Sequence, residues 1–220
     1  MAPRPQTTSP AASKGERTRA AILDAALRLV SQAGLEGLTI GTLADVTGMS
    51  KSGLFAHFGS REELLLAVLN HGQQEFIEVV LNPALKKPRG LPRLRSMFVN
   101  WLDWTESAEL PGGCPMIAGA TEFDDKPGPV KDMLAAGQRA WIDTLQRAVR
   151  QAREEGQVKP ATDPEQIAFE MFGIALVVHH HRRLLGYQKA RERALAALEA
   201  LFERHTAPES RQSLRSVSAQ

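Results

Sequence analysis

The chain has 220 residues, of which 43% are hydrophobic and 24% charged, a globular balance that excludes a mainly disordered polypeptide. With 27 Lys plus Arg against 25 Asp plus Glu the formal charge is +2, which excludes a histone-like polycation, so any nucleic-acid contact must come from a local patch. The longest apolar run, Met171 to Val178, is far shorter than the ~20 residues that span a bilayer, and the single cysteine, Cys114, excludes an internal disulfide and a Cys-x-x-Cys zinc site.

Residues 1–13 carry Pro3, Pro5 and Pro10 among small polar residues and read as a flexible arm. Met1 to Gly15 has no apolar core, so no secretory signal and no membrane partner are expected, and the location is expected to be cytoplasmic. Helical periodicity then runs almost throughout, with no sustained alternation of period two, and an all-α fold is expected. Ile22, Leu23, Ala26, Leu29, Val30 and Ala33 form one apolar stripe, ended by Gly34. Thr39 caps a short helix carrying Ile40, Leu43 and Ala44; Gly48 breaks it, and Ser50 caps another through His57. Ser60 with Glu63 forms a capping box for a linking helix over 60–81, after which Pro83, Pro88, Gly90 and Pro92 interrupt the chain.

A helix around Leu94 to Thr105 follows, then a loop through Pro111, Gly112 and Gly113. Val130, Leu134, Trp141, Leu145, Ala148 and Ala152 mark a long amphipathic helix that stops near Gly156. Asp163, Pro164 and Gln166 supply cap, first-turn proline and N3 acceptor for a helix that is apolar nearly all round from Ile167 to Val178. The last helix, about Gln188 to His205, carries Leu195, Leu198, Leu201 and Phe202 on one face, and 207–220 reads as a flexible tail.

The informative stretch is Leu38 to Phe58: two short helices joined by a glycine turn, the second with a small, polar outer face. Locked at a steep angle through Ile40, Leu43, Ala44, Val46 and Leu54, such a pair can push its second helix into a major groove about 12 Å wide. Ser50, Lys51, Ser52 and Gly53 leave that helix's N-terminus open to phosphate or base edges.

Residues 14 to 69, which include LTIGTLADVTGMSKSGLFAHFGSREELLLAVL, resemble the DNA-binding domain of the tetracycline-repressor (TetR) family of bacterial transcriptional regulators. The resemblance implies a three-helix DNA-binding domain over 14–60 and a helical effector-binding and dimerisation bundle over 82–206. It also implies a homodimer on a palindromic double-stranded operator, released by a small effector. Activation, or redox control through Cys114, is the alternative within the same fold. The DNA-facing set it implies is Thr39, Thr47, Ser50, Lys51, Ser52, Gly53, His57 and Arg61, with Arg61 standing where the family usually has a phosphate-contacting lysine. Phe55 stands where the family most often has tyrosine, keeping a ring for packing without the hydroxyl, and is left out of that set. Arg4, Lys14, Arg17 and Arg19 can add phosphate contacts or simply solvate the arm.

Gly113-Cys114-Pro115-Met116 followed by Glu122 is similar to a segment that starts a helix beside the pocket in one subgroup of that family. Pocket candidates are Met97, Phe98, Trp101, Trp104, Met116, Phe123, Trp141, Met171 and Phe172, adaptable or broad side chains suited to a hydrophobic or aromatic effector. Glu122, Asp124 and Asp125 add negative charge that Lys126 and Arg139 can cancel, which leaves the effector's charge open. The expected dimer interface is Ile174, Val178, Leu195, Leu198, Leu201 and Phe202, as family members dimerise through their last two long helices. Adjacent residues in His179-His180-His181 point about 100° apart on a helix and cannot chelate together, and His71 or Glu170 would have to join them from elsewhere with Arg182 and Arg183 adjoining, so neither metal nor cofactor is expected. No nucleophile motif, phosphate loop or carboxylate pair points to an enzyme.

Overall fold

The computed structural model describes residues 13–207; nearly all of the expected arm and tail lie outside them. The described chain is helical, with one isolated antiparallel bridge, Val158 to Thr206. Three helices form the N-terminal unit: α1 (Lys14–Ala33), α2 (Ile40–Thr47) and α3 (Lys51–Phe58). Ser13 and Glu16 close a capping box on α1, Thr39 and Thr42 close one on α2, and Ser50 accepts the Gly53 N–H to start α3. Gly48 sits at φ 68°, left-handed backbone that lets the chain turn sharply between α2 and α3. Leu27, Val30, Leu38, Leu43 and Leu54 fill the centre of this unit. Val46 does not join them: it is 57% exposed, because an eight-residue helix turns only a narrow face inward and Leu43 and Ala44 already occupy it.

Ser60 caps α4 (Arg61–Phe76), but only half of the expected capping box forms. Its Oγ accepts the Glu63 N–H at 3.1 Å, while its own N–H donates to the Phe58 carbonyl at 2.8 Å. The helix does not end at Leu81. It widens into a π-helical stretch, Ile77–Leu81, and runs on through α5 (Asn82–Leu85), with Pro83 inside it. The Asn82 N–H reaches back five residues to the Ile77 carbonyl, and this change of register accommodates a proline that an α-helix interior would reject. Asn100 Nδ2 donates to the Val80 carbonyl at 2.9 Å, satisfying an acceptor within the widened stretch.

The remaining bundle comprises α6 (Leu91–Thr105), α7 (Pro115–Phe123), α8 (Pro129–Glu154), α9 (Pro164–Arg183) and α10 (Ala190–His205). Pro92 lies in the first turn of α6, where its missing N–H costs nothing, so α6 starts earlier than the expected Leu94. Asp163 caps α9 by accepting the Glu165 N–H at 2.9 Å. Gln166 is not the N3 acceptor; its amide donates to Glu170 instead, at 3.0 Å. The tail begins ordered, since the Ala207 N–H bonds the Gln157 carbonyl at 3.1 Å.

Candidate functional site

Two regions gather the sequence-predicted residues. On the N-terminal unit, Thr39, Ser50, Lys51 and Ser52 are exposed and adjoin. A Cβ placed on Gly41 would lie 3.5 Å from Thr39 Oγ1 and 3.9 Å from Lys51 Nζ, so the start of α2 and the start of α3 form one surface. Lys51, Ser52 and Phe55 share the outward face of α3 by their spacing of three and four residues. Phe55 is 53% exposed, so its ring is presented at the surface rather than packed. Gly53 and His57 are half-buried, and Ser50 Oγ is shared between the Gly53 N–H and Ser52 Oγ. Thr47 spends its hydroxyl on the Leu43 carbonyl at 2.8 Å.

Arg61 sits differently from its expected role. Its Nε donates to the Leu38 carbonyl at 3.1 Å, and one terminal nitrogen donates to the carbonyls of Leu35 and Glu36. The guanidinium therefore staples α4 to the turn that precedes α2, and a phosphate would have to compete with those carbonyls.

In the bundle, a cavity of about 400 Å³ opens between α4, α6, α7, α8 and α9. Of the expected residues, Trp101, Met116, Trp141 and Phe172 line it. Met97, Phe98, Trp104, Phe123 and Met171 do not; Met97, Phe98, Trp104 and Met171 are closed into the core by neighbouring helices, and Phe123 packs at its edge under Lys126. The aromatic wall is built edge to face: Phe76 stands at 89° to Trp141 with centroids 4.9 Å apart, and Trp101 at 81° to Trp141, 5.7 Å apart.

The lining residues missed from sequence come mostly from α8, among them Leu134, Gly137 and Ala140, and from the linking helix, which supplies Gln73, Phe76, Ile77 and Leu81, the last two on its π-helical stretch. Gln138, Asp143, Thr144 and Arg147 add polar groups. Cys114 lines the cavity at the start of α7, buried, and burial pushes its thiol above the ordinary range against the weaker opposing pull of the Ile117 and Met116 N–H groups and the Trp104 indole. A neutral, buried thiol is a poor nucleophile, which weighs against redox control through Cys114.

The charged group expected beside the pocket faces the N-terminal unit instead. The Glu122 carboxylate on α7 accepts the Leu35 N–H at 3.1 Å and the Glu36 N–H at 2.8 Å, and Lys126 pairs with Glu36. Ser31 on α1 accepts the Gly112 N–H at 2.8 Å and donates to the Gly113 carbonyl at 2.9 Å. Arg28 Nη1 donates to the Ala108 carbonyl at 2.7 Å. The helix that walls the cavity and the loop that leads into it are thus bonded directly to the N-terminal unit.

The expected dimer face is also redrawn. Val178, Leu198, Leu201 and Phe202 are buried inside the protomer, because α10 turns its leucine stripe toward its own bundle, and Leu195 is half-buried beside them. Ile174 instead lines an apolar groove between α9 and α10, with Val177, Leu185 and Tyr187. Phe169, Leu176, Val177, Leu184 and Leu185 are exposed, Phe169 and Leu184 more than 70% so.

Residues 22–68 match the family model described as bacterial regulatory proteins, tetR family, and residues 90–198 match that of the tetracyclin repressor-like C-terminal domain. The chain is 26% identical over 151 residues to the HTH-type transcriptional repressor ComR of Escherichia coli K12, covering 68% of this chain and 72% of that protein. It is 37% identical to the HTH-type transcriptional repressor AcnR of Corynebacterium glutamicum over 70 residues, 32% of this chain and 37% of AcnR. Among solved structures, a TetR transcriptional regulator from Chloroflexus aurantiacus superposes with a TM-score of 0.80 at 23% identity, covering 88% of this chain and 98% of that one. AibR, solved with isovaleryl coenzyme A and operator DNA, gives 0.68 at 29% identity, covering 85% and 98%.

Proposed function

Because this chain belongs to the tetR family of bacterial transcriptional regulators, we propose that it acts as a homodimeric repressor, binding a two-fold-symmetric operator and released by a small, largely apolar effector. The observation that carries the reading is the joint surface of Thr39, Ser50, Lys51 and Ser52 at the starts of α2 and α3, exposed and backed by a filled core. Two such surfaces one DNA turn apart, about 34–36 Å, read two half-sites. Lys51 and the helix N-termini serve phosphate or base edges, and the exposed Phe55 ring suits a thymine methyl.

The exposed apolar residues of α9 and of the turn after it support pairing with a second copy through the last two helices, with the α9–α10 groove at the centre. For release, the cavity's apolar walls favour a ligand with a flat or aliphatic body, and Gln138, Thr144 and Arg147 offer polar anchoring. An occupant presses on Met116 and Ile117 of α7 and on Gln73 and Phe76 of α4. Glu122 on α7 passes that displacement to the turn before α2, and a ligand that favours the displaced state draws the dimer away from operator spacing.

The test is selection of bound sequences from a randomised duplex pool with ligand-free protein at moderate salt. An enriched symmetric site supports the reading, and Lys51→Ala then weakens it, uniformly for a phosphate contact or by ~1–3 kcal/mol at one base position for a base contact. A folded protein that enriches no sequence at any salt, with or without cell extract, sinks the proposal.

A further inference from the structure

The corner where α1 crosses α4 holds a cluster that neither the reading surface nor the cavity uses. His71 on α4 turns Nε2 toward two carboxylates: Asp24 Oδ1 on α1 at 2.6 Å, and Glu75 Oε1, one turn along α4, at 3.4 Å. One ligand atom from each of the three residues lies within 4.8 Å of the other two. We propose that Asp24, His71 and Glu75 form a binding site for a divalent first-row transition-metal ion, Zn²⁺ being its representative.

Three features support the assignment. His71 and Glu75 have the i,i+4 spacing that sets two ligands on one helix face, and Asp24 closes the set from a different helix. The geometry is near what such an ion needs. Metal–ligand bonds of about 2.0–2.2 Å in a tetrahedral site place neighbouring ligand atoms about 3.3 Å apart. The His71–Glu75 separation already matches, and the His71–Asp24 contact must open by about 0.7 Å, through the side chain best able to move, Asp24 being 61% exposed against 21% for His71.

Charge is the third feature. The charged groups acting on Glu75 are His71, Asp24, Glu78 and Glu109, three acids besides Glu75 itself against one imidazole. A single imidazole N–H can serve only one of the two carboxylates well, whereas a cation serves both. One nitrogen with two carboxylate oxygens is a donor set that zinc and its first-row neighbours accept, with water completing the shell.

The ion would pin α1 of the reading unit to the turn of α4 that also carries Gln73 and Phe76 into the cavity. Metal and effector would therefore act on one turn of the same helix, and the regulator would answer to both.

The test titrates the full chain with Zn²⁺ alone, by calorimetry at neutral pH, in a His180→Ala/His181→Ala background that removes two of the three histidines of the 179–181 run as rival ligands. Saturable uptake of about one equivalent per chain is expected, weakened about 100-fold or more in His71→Gln and in Glu75→Gln and less in Asp24→Asn. Co²⁺ in place of Zn²⁺ reports the same loss through its visible absorption bands. Far-UV dichroism checks that each variant is folded; should His71→Gln fail, the more exposed Glu75→Gln decides. The proposal is overturned by no saturable uptake in the parent, or by uptake that a folded Glu75→Gln leaves intact.

Discussion

Glu122→Ala cuts the bond through which the cavity helix holds the turn before α2. The carboxylate accepts two backbone N–H groups, from Leu35 at 3.1 Å and Glu36 at 2.8 Å. A hydrogen bond to a charged acceptor contributes about 1.5–3 kcal/mol where water cannot replace it. Leu35 is fully buried, so its bond counts near that range, while the exposed Glu36 N–H finds water and counts for less. The expected cost is about 2–4 kcal/mol. In a chain of this size that lowers the unfolding midpoint by roughly 5–12 °C. Thermal unfolding by circular dichroism measures the cost, and hydrogen exchange locates it, since the Leu35 and Glu36 amides should exchange faster while those of α8 stay protected. Glu122→Gln should recover about half of the loss, because an amide oxygen accepts one N–H and its NH₂ faces the other. A midpoint within about 1 °C of the parent, with both amides unchanged, would refute the claim that α7 holds the reading unit in place.

Gly112→Ala should be more damaging, since its Cβ would fall 1.4 Å from the Ser31 carbonyl oxygen, a backbone atom that cannot yield; a midpoint drop of more than about 10 °C, or insoluble protein, is expected in a melting assay. Cys114 should resist iodoacetamide at pH 8 in the folded protein, on the order of 100-fold slower than in urea, and rapid labelling of native protein would reopen redox control. Val177→Arg should convert the proposed dimer to folded monomer in sedimentation velocity, whereas Leu198→Arg should unfold the protomer, because the first side chain is 52% exposed and the second fully buried.

What was readable in the sequence, and what was not, divides along a physical line. Thr39, Gly48 and Ser50 announced α2, the turn and α3 because capping and left-handed backbone are local demands, met by residues within three or four positions. The same local logic found Asp163 and Pro164 at the start of α9. It misread Pro83, because a widened helical turn is a local answer to proline that leaves no signature in residue type.

Facing is a different matter. A leucine stripe states that α10 has an apolar side, not whether its own bundle or a second copy covers it, and Leu198 and Leu201 turned out to be claimed from within. Met97 and Trp101 lie one helical turn apart on α6, yet one is sealed in the core and the other walls the cavity, a distinction set by where α4 and α8 pass. Glu122 was read as a charge near the pocket, but its partners lie on a turn 86 and 87 residues earlier in the chain. The histidine run lacks the helical i,i+4 spacing that His71 and Glu75 carry, and Asp24, the third member of the proposed metal site, comes from another helix and is invisible to any periodicity. The surface proposed to read DNA is built within one short segment, so local chemistry exposes it. The cavity and the links that would transmit its occupancy are assembled from at least four helices, and only their packing reveals them.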